Sequence, residues 1–336
     1  MKNLTIIIKT FIVVLLLSSC NKNEPFSTLE NSNSTPYSKK KVIKIDTSSA
    51  IQHRGIYING FRDSILGDSI KETYLLNWCN LNKFNEITLY TVNAILNGNN
   101  SEEIENLANF INRAHVGYNL DVSFSAVGKE AIENIRDYQT SQSNVLNRAD
   151  GIFSEYEFWN PNDIDANFKY FDKVLTKTLN KTNRDMGEGW EENIYVKDFT
   201  DSGGEYSEKR VITKIVNYLR SGDNNRIGLV NYRSNAQNFP SSSTSSYYQT
   251  FEKIADIAAK RKKVTNVIVL FMTREDRTPT LFDYFATAGQ NNDFDSAFIS
   301  FKQGFLNSAI ANKQYINLMG YQIYRYSDSK KAKPLP

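Results

Sequence analysis

Two glutamates, Glu155 and Glu157, close the segment Asp150-Gly151-Ile152-Phe153-Ser154-Glu155-Tyr156-Glu157, whose β-branched and aromatic content reads as a strand. Side chains alternate along a strand, so Phe153, Glu155 and Glu157 share one face, while Ile152, Ser154, Tyr156 and Phe158 share the other. The second set suits packing against helices. The first brings two carboxylates side by side. Neighbouring carboxylates cannot both ionise cheaply, so one of the pair is expected to hold a proton near neutral pH, the condition for a general acid.

Little else in the composition competes with this pair. Among 336 residues there are two histidines, His53 and His115, and two cysteines, Cys20 and Cys79, too few for the usual zinc, iron–sulfur or disulfide frameworks. No acidic loop of the calcium type is present. Forty basic against 37 acidic side chains leave a net charge of +3, which lacks the electrostatic footprint of a nucleic-acid binder. The chemistry is therefore expected to run on carboxylates, phenols, amides and aromatic rings, with no metal or organic cofactor and no nucleic-acid partner.

The elements that must position the pair form a regular alternation. Strand-like runs at residues 55–59, 86–92, 120–125, 151–158, 193–197, 226–232, 266–272 and 316–321 are separated by amphipathic stretches at 63–81, 101–114, 129–147, 161–183, 207–220, 248–261 and 294–312. Strands joined through helices pair in parallel. Eight such units match a single-domain α/β fold, the (β/α)8 TIM barrel, over residues 50–328. An open doubly wound sheet is the rival, but no G-x-G-x-x-G or P-loop follows any strand. In a barrel the working residues sit at the C-terminal ends of the strands. Those ends supply Tyr57, Asn59, Tyr90, Trp159, Asn231, Tyr232, Arg233 and Tyr321, rings and amides of the kind that stack on a sugar and bond its hydroxyls. Outside this set, His53 and His115 read as surface or capping residues and Ser101 as a helix N-cap. Trp78 reads as core, Cys79 as an inert buried thiol, and Trp190, Tyr247 and Tyr248 as loop residues near the cleft.

The N-terminus points to an envelope location. Lys2 and Lys9 precede the apolar run 11–17, which is too short to span a bilayer and reads as a signal peptide over residues 1–19. Its end, Leu17-Ser18-Ser19-Cys20, resembles the bacterial lipobox, which implies diacylglycerol on Cys20 and a membrane-anchored protein on the outer membrane or cell surface. Residues 20–49, polar and carrying Pro25 and Pro36, are expected to be a flexible tether. Residues 329–336 are expected to be a frayed tail.

The strand with the two glutamates resembles the family 18 glycoside hydrolases, chitinases and endo-β-N-acetylglucosaminidases, whose fourth barrel strand reads D-G-x-D-x-D-x-E. Asp150 and Gly151 match, Glu155 stands where the second inner Asp belongs, Glu157 falls on the catalytic acid, and Phe153 replaces the first inner Asp. Val230-Asn231-Tyr232-Arg233 keeps the Tyr of a second family motif, and Met319-Gly320-Tyr321-Gln322 offers a Tyr where the family has a Trp. The resemblance implies a retaining, substrate-assisted hydrolase of β-linked N-acetylglucosamine glycans or glycoproteins, with Glu157 as acid then base, Glu155 orienting the acetamido group and Tyr232 assisting. Because Glu is one methylene longer than Asp and Phe153 removes a charge, a glycan-binding barrel without turnover stands beside the hydrolase. A structural or assembly lipoprotein is a third reading.

Overall fold

Eight short runs rich in Ile, Val, Leu, Phe and Tyr form the strands β1 (His53–Ile58), β2 (Glu86–Leu89), β3 (Asp121–Ala126), β4 (Gly151–Ser154), β5 (Glu191–Val196), β6 (Arg226–Asn231), β7 (Thr265–Met272) and β8 (Ile316–Tyr324). Each pairs in parallel with the next, and β8 returns to β1 with His53 opposite Gly320, so the sheet closes as a barrel. The crossover helices are α1 (Ser69–Leu81), α2 (Ser101–Tyr118), α3 (Lys129–Ser141), α4 (Thr176–Met186), α5 (Glu208–Tyr218), α6 (Ser246–Lys260) and α7 (Phe294–Asn307), with α8 (Tyr326–Ala332) after the last strand. This is the (β/α)8 fold expected from the alternation. The computed structural model describes residues 50–98, 100–159, 164–197, 208–219, 225–233, 235–276, 280–287 and 292–335. The expected signal peptide, Cys20, the tether and the helix opening at Pro161 lie outside them.

Period-two alternation sorts each strand into an outer and an inner set. Outer residues such as Ile56, Leu89, Phe124, Ile152 and Phe271 are fully buried beneath the helices. The inner set is polar at one end. His53 of β1, Glu86 of β2, Glu191 of β5 and Arg226 of β6 meet across the interior: Arg226 Nη1 donates to His53 Nδ1 at 2.7 Å and to Glu86 Oε2 at 3.2 Å, and Nη2 donates to Glu191 Oε2. His53 Nε2 lies 3.0 Å from Gln322 Oε1, whose amide donates to Thr88 Oγ1 at 3.0 Å. His53 is thus an interior residue of β1 rather than a surface one. Above this layer Phe153 fills the barrel centre, and Gly228 exists to admit it: a Cβ there would lie 2.4 Å from the Phe153 ring.

Several boundaries differ from expectation for local reasons. Strand β4 stops at Ser154 because the chain turns back, with the Phe158 amide donating to the Tyr156 carbonyl. Strand β8 runs three residues further than residue 321. The N-cap of α2 is Asn100, whose side chain accepts from the amides of Glu102 and Glu103, and not Ser101. Residues 329–332 of the expected frayed tail belong to helix α8, and the Trp78 indole donates to the Lys333 carbonyl just after it at 2.6 Å. Trp78 and Cys79 are fully buried, as expected. His115 bridges the Leu146 carbonyl and Asp150 Oδ2 at 2.9 and 2.8 Å, and Asp150 also accepts the Val122 amide. Asp150 therefore fixes the start of β4 at the end opposite the carboxylate pair.

Glu192 of β5 faces outward, 1% exposed, between barrel and helices. Tyr218 Oη of α5 donates to it at 2.6 Å. Burial pushes its carboxyl up to about 7, against the opposing pull of that hydrogen bond. A folded-state value above the unfolded one means stability present below about pH 4.5 and lost as pH rises through about 7. Glu192→Gln should remove this loss, making the variant more stable than the parent above pH 7 by about 3 kcal/mol. Parallel thermal melts between acid and neutral pH test it; identical pH slopes in the two proteins would refute it.

Candidate active site

The carboxylate pair sits just past the C-terminal end of β4. The Glu155 amide still reaches the Ala126 carbonyl of β3 at 2.9 Å, which holds the residue over the barrel interior. The loop that follows is pinned by Phe158, buried against Phe168 and Phe171 with centroids 5.4 and 5.2 Å away. Glu155 is half-buried and Glu157 exposed. Both line an open-mouthed pocket of about 200 Å³, together with Tyr57, Tyr90, Tyr195, Tyr232, Met272, Arg274 and Tyr324.

The walls are phenols contributed by successive strand ends. Tyr57 ends β1 and packs edge-on against Phe153, with centroids 5.4 Å apart. Tyr324, the last residue of β8, lies 5.9 Å from the Tyr57 ring and 6.2 Å from that of Tyr232. Tyr195 Oη donates to Tyr232 Oη at 3.1 Å. The buried Tyr57 hydroxyl makes no hydrogen bond of ordinary geometry, although it faces Glu155 closely enough to influence it. On the rim, Arg274 is gripped by the exposed Asp276 through Nε at 2.9 Å and Nη2 at 2.5 Å.

Burial raises the Glu155 carboxyl to about 7, opposed by the neighbouring Tyr57 and Ser125 hydroxyls and reinforced by the Glu157 charge. The carboxyl whose proton is held up is Glu155, and burial does more to hold it than the Glu157 charge. Burial also raises the phenols of Tyr57, Tyr195 and Tyr232 above their ordinary value, so they face the pocket as neutral donors. No ion pair involves Glu155 or Glu157 among the described residues. Lys197 forms no ion pair with either among the described residues. Arg233 donates to Asn231 Oδ1 and the Asn238 carbonyl and lies over the Tyr247 ring. The pair is open to a ligand rather than sealed by basic partners.

Of the residues expected at the site, the structure brings together Glu155, Glu157, Tyr232, Tyr57 and Tyr90. Five others do not line the pocket. Asn59 is bound to Ser327, its amide donating to Ser327 Oγ at 3.0 Å. Trp159 is buried behind the wall, 5.2 Å from the Tyr195 ring. Asn231 donates to the Ala236 carbonyl at 2.8 Å, and Arg233 is held as described. Tyr321 falls on the outer face of β8, where its hydroxyl donates to Asp295 Oδ1 at 2.8 Å. Tyr324, three residues on, takes the place expected of it. Tyr247 and Tyr248 belong to α6 and the core, not to a cleft loop. Trp190 lines a smaller hollow with Asp150, away from the pair. Tyr195, Met272 and Tyr324 join the pocket without having been singled out, and Arg274 joins it from just past the end of β7, where strand ends are expected to supply the site. Strand parity could have found Tyr195, which shares the inner face with Glu191 and Asn193.

No family model matches the sequence, and no curated protein matches it. Among solved structures, a GH18 chitinase from Pseudoalteromonas aurantia is similar at 13% identity and a TM-score of 0.43, covering 84% of this chain and 96% of that one. A beta-glucosidase from Exiguobacterium marinum is similar at 10% identity and a TM-score of 0.42, covering 76% and 78%. The 7,8-dihydropteroate synthase of Vibrio fischeri ES114 is similar at 8% identity and a TM-score of 0.38, covering 85% and 91%. The fold assignment rests on the closed ring of eight parallel strands itself.

Proposed function

We propose that the pocket receives a sugar ring of a β-linked N-acetylglucosamine-containing glycan and hydrolyses its glycosidic bond, in a protein anchored to the bacterial envelope through acylated Cys20. The observation that carries this reading is the unsealed pair Glu155 and Glu157 at the floor and mouth of a tyrosine-walled pocket. Phenol rings offer stacking faces to the axial hydrogens of a sugar, and their hydroxyls offer donors to its oxygens. A carboxyl holding a proton at neutral pH can protonate the leaving oxygen. The substrate's acetamido oxygen then attacks the anomeric carbon, Tyr232 bonds that group, and the deprotonated carboxylate activates the water that completes hydrolysis with retention.

A second reading draws on Phe153. Its ring occupies the place of an inner carboxylate and is locked there by Gly228, so the pair lacks a third acid that would help place its proton. A pocket built this way also suits binding without turnover. Incubation with chitooligosaccharides and high-mannose N-glycans separates the readings. Product that disappears in Glu157→Gln is the expected result. Tight binding with no product from either protein would replace the hydrolase by a glycan-binding barrel. Absence of both would leave a structural or assembly lipoprotein.

A further inference from the structure

The end of the barrel opposite the pocket carries a second feature. The longest basic run of the chain, Lys260-Arg261-Lys262-Lys263, ends α6 and leads into β7. It therefore lies at the N-terminal end of the strands. Among the described residues no carboxylate pairs with Lys260, Arg261 or Lys262, and Lys260 and Lys262 are exposed. A cation near a helix C-terminus is favoured by the helix dipole, but one suffices and the effect fades beyond the last turn.

The backbone gives two lysines on this face no folding advantage. Lys262 has φ 52°, in the left-handed region, and closes α6 as the Lys263 amide returns to the Ala258 carbonyl at 3.2 Å. Glycine is the favoured residue at such a position, with Asn next. On the same face α2 closes on Asn119 with φ 52° and α4 on Gly187 with φ 77°. The helix α1 closes on Lys83 with φ 61°, just before β2, and Lys83 likewise has no ion-pair partner among the described residues. Two helix ends on one face thus hold a lysine where glycine would fit more easily. Strands β7, β8, β1 and β2 are consecutive around the ring, so the two basic corners flank the point where the chain enters β1.

We propose that the N-terminal face of the barrel rests on an anionic lipid surface through Lys83, Lys260, Arg261 and Lys262. That orientation points the tyrosine-walled pocket away from the membrane, toward the substrate side. Basic residues at a surface of acidic headgroups gain electrostatic attraction that adds across the cluster and decays within a Debye length. The contact is independent of the glycan reading. Together with an acyl chain on Cys20 it supplies the second attachment that stable anchoring takes.

The test compares partition of the full chain onto neutral phosphatidylcholine vesicles and onto vesicles enriched in phosphatidylglycerol. The same comparison is made with the triple variant Lys83→Gly, Lys262→Gly and Lys260→Gln. Any contribution from the N-terminal segment is common to both proteins. The parent should favour the acidic vesicles by about tenfold or more at low salt and lose that preference at high salt. The variant should show little preference while its melting temperature holds or rises, because glycine relieves the left-handed positions. An equal preference in parent and variant overturns the proposal, as does a parent that ignores lipid charge. A parent that binds soluble polyphosphate as tightly as acidic vesicles, with both lost in the variant, also overturns it in favour of a polyanion site.

Discussion

Arg226→Met is expected to remove about 5 kcal/mol of folding stability at neutral pH, most of what a domain of ordinary stability possesses. Arg226 is 3% exposed and is the cation shared by Glu86 of β2 and Glu191 of β5. Burial would raise the Glu86 carboxyl, but His53 and Arg226 hold it well below the usual carboxylate range. Methionine fills a comparable volume and takes away the charge, leaving two carboxylates in the barrel interior with His53 between them. An orphaned buried charge costs more than its pair ever contributed, so the loss measures the uncompensated carboxylates and not the net worth of the network. Two consequences follow for measurement. Urea unfolding at neutral pH should give a much lower midpoint for Arg226→Met, and mild acid should narrow the gap by letting Glu86 protonate. Adding Glu86→Gln to Arg226→Met should likewise recover part of the loss. A variant that unfolds within about 1 kcal/mol of the parent at neutral pH would show that the layer is solvated rather than dry.

That layer also explains which parts of the fold were legible from sequence. The eight strands were readable because their outer faces are apolar and β-branched, as in Ile56, Val122, Leu229 and Val269, and because helical periodicity fills the gaps. The strand ends were less readable. Glu86 and Arg226 open strand-like runs and His53 and Glu191 fall just before theirs, yet all four are interior positions, because the inside of a closed ring may be polar when its charges meet across the axis. The strand-like run 316–321 ends three residues before β8 does. Gly320 is where β8 passes so close to β1 that a Cβ would lie 1.8 Å from the His53 carbonyl, and Gln322 reaches inward to His53. Misplacing that end exchanged Tyr321 for Tyr324, since a one-residue change of parity moves a side chain through the sheet.

The site was legible in its chemistry and only partly in its geometry. Two carboxylates two positions apart were visible at once, as was the tyrosine at the end of β6. A reading by strand ends alone does not separate Asn231 and Arg233 from Tyr232, whereas strand parity does. Period two assigns Asn231 to the outer face, where it anchors the following loop by bonding Ala236 and Arg233. The five-phenol wall is a product of closure: Tyr57, Tyr90, Tyr195, Tyr232 and Tyr324 come from five different strand ends, and only the ring brings them to one opening.

Turnover, where the pocket hydrolyses its glycan, is expected to fall as pH rises through about 7, by about tenfold for each further pH unit, so that two units above this value the rate is down about a hundredfold. Hydrolysis needs one proton in the carboxylate pair before substrate enters, and the structure holds that proton at Glu155, where burial and the Glu157 charge keep it. The loss follows the Glu155 proton, so it occurs whichever of the two carboxyls finally passes a proton to the leaving oxygen. Glu155→Gln should abolish this limb of the profile along with most of the rate. Glu157→Gln removes the neighbouring charge, so Glu155 should ionise more readily and any residual activity should decline from a lower pH than in the parent. The measurement is kcat/KM against pH for the parent and both variants on one chitooligosaccharide. A parent profile that instead rises through pH 7 would mean that Glu155 works as an ionised acceptor of the acetamido N–H. The proton donor would then have to be Glu157.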